Sequence, residues 1–319
     1  MVKRALLVVA VVLALTGLVV VSPAGAASAR ARTAAGTGTV ISAEASPFGQ
    51  VLVASSGPFT GYSLYEFSRN TAAACTTTPV SIMGMMLSCT GPETDKSADW
   101  PALTTVGKPV AGAGVNQHLL GMVHRADIGG DQVTYAGQLL YLFDIAPDQF
   151  TGANFMETVV PLPPWHGIWY LVSPKNGLPV LGPIPLSSET LADGKAVLAA
   201  GMFQGMGPAG PITVYTYSKD QKRHSNCRDT CALDWPPVLT SAPASATAGL
   251  PKGSVGSIER SNGTRQLTYQ GKPLYFYAQE LFRLDAKGTP LNPPTSGNGA
   301  GLAGPGHAGH FALVPAPTA

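Results

Sequence analysis

Apolar and polar positions alternate along this chain in short runs rather than long stripes. Ser257-Ile258-Glu259-Arg260, Gln266-Leu267-Thr268-Tyr269 and Leu274-Tyr275-Phe276-Tyr277 are three such runs. Asn262-Gly263 separates the first two, and Asn-Gly between strand-like runs predicts a hairpin because both residues accept positive φ. Gly271-Lys272-Pro273 separates the last two, so the stretch reads as a three-strand meander. Period-two alternation places Leu267 and Tyr269 on one face of their strand, and Tyr275 and Tyr277 on one face of theirs. Leu191 to Ala200 reads as a helical turn or a strand, and the repeat favours a strand in its second half. The long apolar run is at the start, Ala5 to Val21, after Lys3 and Arg4. It is a little short of the ~20 residues that cross a bilayer. Ser22-Pro23 and the small-residue triplets Ala24-Gly25-Ala26 and Ala27-Ser28-Ala29 follow it, which is the layout of a cleaved signal peptide. An uncleaved anchor is the alternative reading. The mature chain has no second apolar run long enough to span a membrane.

The meander occurs twice. Gly121 to Tyr141 aligns with Gly256 to Tyr275 with one gap, pairing Arg125 with Arg260, Gln132 with Gln266, Tyr135 with Tyr269 and Tyr141 with Tyr275. The match extends to Asp99-Trp100-Pro101 with Asp234-Trp235-Pro236, and to Leu64-Tyr65-Glu66-Phe67 with Val214-Tyr215-Thr216-Tyr217. Val51 to Val53 aligns with Val197 to Ala199, and Gly167 to Val172 with Gly309 to Val314. Self-similarity of this kind marks a repeat architecture. The chain divides into a signal peptide (1–29), a flexible leader (30–45), module one (46–174), a Pro-rich linker (175–191) and module two (192–316). The expected fold is all-β: two tandem modules of short antiparallel strands, in meanders and hairpins, with turn-rich loops.

Composition narrows the function classes. Charged residues are 12% and the net charge is +2, so the chain has no basic footprint for nucleic acid and no charged tail. The 37 glycines and 28 prolines favour frequent turns over long helices. No Gly-x-Ser-x-Gly elbow and no His-Glu-x-x-His occurs. Gly107-Lys108-Pro109 and Gly271-Lys272-Pro273 lack the remaining residues of a phosphate-binding loop. The expectation is no enzyme; a hydrolase built on scattered carboxylates such as Asp220 and Glu280 ranks last.

The motifs carry a resemblance. Tyr215-Thr216-Tyr217-Ser218-Lys219-Asp220, then Cys227, Cys231, Trp235-Pro236, Tyr269, Gly271 and Leu274-Tyr275-Phe276-Tyr277 resemble the bacterial secreted repeat family of unknown function. Its exported, often lipid-anchored members carry a Tyr-x-aromatic-x-x-Asp motif. Module one matches more loosely. The motif's acidic position holds Asp220, but Asn70, Ala146 and Glu280 in the other motifs. No cysteine lies near the cleavage zone, so this chain departs from the lipoprotein-like members. The resemblance implies secretion or attachment to the cell envelope, with an unknown partner, such as a cell-wall component.

The four cysteines allow three connectivities. The repeat aligns Cys75 with Cys227 and Cys89 with Cys231, so a duplicated bridge predicts Cys75–Cys89 and Cys227–Cys231. The aromatic pairs Tyr65/Phe67, Tyr141/Phe143, Tyr215/Tyr217 and Tyr275/Tyr277 each share a strand face, and with Asp220 are the candidate ligand-binding residues. A core is the plainer reading of the same rings. Asp220 and Asn70 suit turn caps, and Arg125 and Arg260 read as solvated or carboxylate-paired. Met83, Met85 and Met86 form a cluster of soft ligands that suits copper, with His118 and His124 nearby. His307 and His310 form a His-x-x-His. No cofactor is expected, with copper or haem handling in extracytoplasmic electron transfer as the alternative to a binding module.

Overall fold

The computed structural model describes residues 38–319, except 70, 83–84, 96, 144–149, 151, 155, 158–166, 183, 202–210, 243–248, 282–294, 305–307 and 318–319. The signal segment, Asn70, Met83, Ala146 and His307 lie outside the described residues. In the first copy, β1 (Val40–Ser46) and β2 (Gly49–Ala54) form an antiparallel hairpin. β3 (Tyr65–Phe67) follows, then the small hairpin of β4 (Val80–Ile82) and β5 (Met85–Leu87). β6 (Thr104–Thr105) and β7 (Val110–Ala111) lead into the meander of β8 (Leu120–Arg125), β9 (Gly130–Tyr135) and β10 (Gln138–Leu139). β11 (Met156–Glu157) pairs with β12 (Gly167–Val172), which also pairs antiparallel with β3 and with β13 (Pro179–Val180).

The second copy repeats this order. β14 (Leu186–Thr190) and β15 (Ala196–Gly201) form the hairpin equivalent to β1–β2, and β16 (Pro211–Thr213) extends it. β17 (Tyr215–Tyr217) takes the place of β3, and a short helix α1 (Thr230–Asp234) stands before the Trp-Pro. β18 (Val255–Glu259), β19 (Arg265–Tyr269) and β20 (Lys272–Pro273) are the second meander. After α2 (Ala278–Leu281), β21 (Phe311–Leu313) pairs with β17 as β12 pairs with β3. The chain is all-β, in several small, mostly antiparallel sheets.

Several local expectations change. Residues 40–45, read as flexible leader, lie in β1, where Ile41 is fully buried. The Pro-rich stretch 175–191 carries β13 and β14, because its interspersed Val180, Leu181, Ile184 and Leu186 are buried in a core cluster. The stretch 191–200 resolves as strand in its second half, in β15. The third meander strand is cut short at Pro273, and Tyr275 instead bridges Tyr215 and Pro237. In the Asn262-Gly263 turn only the glycine takes positive φ, at 80°.

Each copy has two core layers. Val51, Val53, Tyr65, Phe67 and Tyr141 pack with Trp100 and Trp169 in one layer. Their sequence neighbours Leu52, Ala54, Leu64, Leu140 and Leu142 pack in the other. These segments are buried on both faces, which is why they read as continuous apolar runs rather than alternating ones. The second copy has the same aromatic layer, with Tyr215, Tyr217, Trp235, Tyr275 and Phe311. Its other layer admits Ile168 and Tyr170 of β12, so the copies share one core cluster. The packing is head to tail: β12 of copy one is covered, while Ala312 on the equivalent strand of copy two is exposed. A duplicated fold that packs through unlike faces is heterologous, not two-fold.

Two matched glycines test the equivalence. A Cβ at Gly152 would lie 2.8 Å from the Trp100 ring and 2.9 Å from that of Tyr65. At Gly299 the distances to Trp235 and Tyr215 are the same. Gly152→Ala and Gly299→Ala should therefore each overpack a rigid ring stack and destabilise by about 1–3 kcal/mol. Urea unfolding should give similar losses for both; a neutral Gly299→Ala beside a costly Gly152→Ala would break the equivalence.

The disulfides are Cys75–Cys89 and Cys227–Cys231, with sequence separations of 14 and 4. On the chain-entropy account, losing the longer loop costs about 3 kcal/mol and the shorter about 2 kcal/mol. Paired Cys-to-Ser variants compared by urea unfolding should keep that order.

Candidate functional site

The aromatic pairs are core. Trp100 stacks on Trp169 at 4.0 Å and on Phe143 at 4.3 Å, with Tyr65 edge-on at 5.4 Å. Trp235 stacks on Phe311 at 3.6 Å and on Tyr277 at 4.7 Å, with Tyr215 edge-on at 5.4 Å. Tyr65, Phe67, Tyr141, Phe143, Tyr215, Tyr217 and Tyr275 are buried, and Tyr277 is half-buried. The i and i+2 rings do share faces, but those faces meet other core rings, Trp100 and Trp169 in the first copy and Trp235 and Phe311 in the second. The aromatic ligand surface expected from the pairs is thus closed by the rings themselves.

The hydroxyls serve the same scaffold. Tyr65 Oη accepts from Gly152 N at 3.2 Å and Tyr215 Oη from Gly299 N at 3.1 Å. Tyr215 also donates to Glu280 at 2.7 Å, and Ser296 and the Asn298 amide complete the cradle. Burial raises the Glu280 carboxyl above its ordinary range, against those hydrogen bonds. Burial raises Tyr215 in turn, and the adjacent Glu280 adds to it. Asp220 accepts from the Asn226 amide at 2.7 Å and from Tyr275 Oη at 2.7 Å, so it closes the loop before Cys227 rather than capping its own turn. Burial raises its carboxyl too.

Arg125 and Arg260 were missed as structural clamps. Arg125 donates to Gln132 Oε1 at 2.9 Å and to the Cys75 carbonyl at 3.0 Å. Arg260 makes the same two bonds, to Gln266 Oε1 at 2.6 Å and the Cys227 carbonyl at 2.9 Å. Gln132 and Gln266 each donate onward to the carbonyls of Leu140 and Leu274, both at 2.8 Å. Among the described residues the first clamp is ion-paired directly, by Asp127 at 2.6 Å, whereas Asp220 acts on Arg260 without direct contact. Burial opposes the Arg125 charge, but the Asp127 hydrogen bond holds its pKa above the usual value, whereas burial lowers that of Arg260. The paired Arg and Gln were visible in the aligned repeat; their partner, a cysteine carbonyl, was not.

What the copies do not share lies between them. β3 and β12 pair with Phe67 opposite Trp169, Glu66 opposite Tyr170 and Tyr65 opposite Leu171. Tyr65 and Phe67 face the aromatic layer, so alternation turns Glu66 to the opposite face, beside Tyr170. That face meets copy two across a cleft of about 320 Å³. Ile168 and Leu178 line it from one side, Leu233, Pro236, Pro237 and Leu239 from the other, and Arg228, Asp229, Arg260 and Asn262 bring the polar groups. Glu66 is only 5% exposed, and its carboxyl has no hydrogen-bond or ion-pair partner among the described residues. Burial alone pushes it up to about 8. Burial also raises the Tyr170 phenol, with Glu66 adding to the rise and Arg260 opposing it. The equivalent pair in copy two is Thr216 and Ala312. The Glu66–Thr216 mismatch stands inside the aligned motif, but in an isolated module that position faces solvent.

The arrangement offers a neutral, buried carboxyl, a phenol and two guanidiniums around an apolar wall, which suits binding. Among the described residues no group of three or more His, Cys, Asp or Glu converges as a metal site. Met85 and Met86 lie on β5, and Met86 is exposed. His124 is exposed and paired with Asp131 at 2.9 Å. No helix among the described residues is long and apolar enough to cross a membrane. No protein-family model, curated protein or solved structure is significantly similar to the chain.

Proposed function

We propose that the chain is an exported, non-catalytic binding protein of the cell envelope, a two-copy relative of the secreted repeat family, whose ligand sits between its copies. The observation that carries this reading is Glu66, a buried acid with no hydrogen-bond or ion-pair partner among the described residues, present in one copy only and lining the cleft. Duplicated residues are used up in the aromatic layers, the disulfides and the Arg–Gln clamps. Burial raises its carboxyl to about 8, so ionising it inside the fold is costly, and its retention favours a role outside the fold. The pattern of residues 1–29 supports export, and the two disulfides suit an oxidising compartment.

Three measurements test the reading. N-terminal sequencing of protein recovered outside the cytoplasm should start after Ala26 or Ala29; a chain retaining Met1 would refute cleavage. A thermal-shift screen of amino acids, peptides, sugars and cell-wall fragments should find compounds that stabilise the wild type but not Ser261→Trp, whose indole would fill the cleft mouth. Compounds that shift both proteins equally, or none that shifts either, would sink the binding assignment. Protein purified without chelator should lack stoichiometric copper and a Soret band; finding either would move the assignment to metal or haem handling.

A further inference from the structure

We propose that the cleft between the copies takes a small zwitterion, an α-amino acid or short peptide, with its ammonium group on Glu66 and its carboxylate toward Arg228. This rests on the binding reading above and adds the ligand class.

Three observations converge on it. The first is the unpartnered acid: Glu66 is 5% exposed, faces the cleft by strand alternation, and nothing among the described residues neutralises it. A buried carboxylate is retained when a cation meets it, and none of the described cations does. The second is the charge balance. Among the described residues the charged groups lining the cleft are Glu66 and Asp229, Arg228 and Arg260, two acids and two bases. With Glu66 protonated the lining carries an excess of positive charge, and with Glu66 ionised it is balanced, so a ligand that brings both an ammonium group and a carboxylate suits it. Glu66 is enclosed, while Arg228 is exposed beside the exposed Asp229 and touches His224 Nε2 at 3.4 Å. Arg260 is already engaged with Ser225, Gln266 and the Cys227 carbonyl. That leaves Arg228 as the guanidinium for an incoming carboxylate, a pairing that arginine geometry suits. The third is size. About 320 Å³ lies at the small end of ligand pockets, and the walls of Leu233, Pro236, Pro237 and Leu239 offer apolar surface for a short side chain.

The ammonium group and the proton compete for the same carboxyl. With Glu66 held near 8, binding should tighten about tenfold per pH unit from pH 6 to 8 and then level off. Tyr170 from β12, Arg260 from the second meander, and His224, Arg228 and Asp229 before α1 are the other titratable or charged groups around the cleft.

Isothermal titration of the mature chain with alanine, alanyl-alanine, N-acetyl-alanyl-alanine and alanyl-alanine amide provides the test. Alanine or alanyl-alanine should bind, and comparing the two shows which length fits. Acetylating the amine should weaken binding at least tenfold, and amidating the carboxylate several-fold. Glu66→Gln should lose at least tenfold and the pH dependence with it; Arg228→Ala, at an exposed residue, should lose several-fold and keep the pH dependence. Circular dichroism should show both variants folded. Equal binding of the acetylated and free dipeptides, or no heat from either alanine or the dipeptide at millimolar concentration, would overturn the proposal. A sugar that binds wild type but not Ser261→Trp would overturn it too, while leaving the binding assignment in place.

Discussion

Replacing Glu66 by Gln is expected to make the protein more stable at neutral pH and to flatten its stability between pH 5 and 8. In the unfolded chain the carboxyl ionises near 4.5; in the fold, burial holds the proton on until about 8. The folded state therefore binds this proton more tightly. Its contribution is fully present below pH 4.5 and is lost as the pH rises toward 8. Over the span to pH 7 the loss is up to about 3 kcal/mol, at ~1.36 kcal/mol per pH unit. Glutamine has a similar shape and cannot ionise. Urea unfolding of Glu66→Gln should match wild type near pH 4.5 and exceed it by up to that amount at pH 7. A Glu66→Gln curve that tracks wild type across the whole range would mean that the carboxyl is solvated in the fold. The cleft would then lack the unmet acid on which its functional reading rests.

Arg125→Ala is expected to produce the other large effect, a loss of about 3 kcal/mol. The guanidinium is buried, and its removal leaves the Cys75 carbonyl and Gln132 Oε1 without their donor. Each unsatisfied buried acceptor costs about 1–3 kcal/mol. The Asp127 pair adds little, because Asp127 is more than a third exposed and solvent screens it. Asp127→Asn should accordingly cost well under 1 kcal/mol. Urea unfolding of the two variants decides the matter. An Asp127→Asn loss equal to that of Arg125→Ala would make the ion pair, rather than the clamp on the disulfide loop, the source of stability.

The clamps show how far a sequence reading reaches. Arg125 with Gln132 and Arg260 with Gln266 align residue for residue, so the pairs were visible as a repeated pattern. Their purpose was not, because the partner carbonyls lie 50 and 33 residues away and any residue supplies a carbonyl. The aromatic pairs gave the opposite result. Their shared strand face was legible from period-two spacing, yet the same spacing fits a core and a binding surface equally. Trp100 and Trp169 in the first copy, and Trp235 and Phe311 in the second, decided for the core by packing against these rings, stacked or edge-on. The Pro-rich stretch 175–191 was misjudged on composition: its prolines mark turns and edges, but the apolar residues between them are buried where the copies meet.

Local rules were enough for the strand-rich class, the duplication and the disulfide partners. Alternation, turn residues and matched spacing act over a few residues, and a duplicated module carries its bridge with it. Glu66 belongs to the other category. Its identity, its mismatch with Thr216 and its place between two aromatic residues were all on the line of sequence. Nothing there could say that the second copy would pack head to tail over that face, enclosing the acid in one copy and leaving the equivalent position open in the other. Burial is a property of what lies opposite, and for Glu66 that is a segment from the far half of the chain.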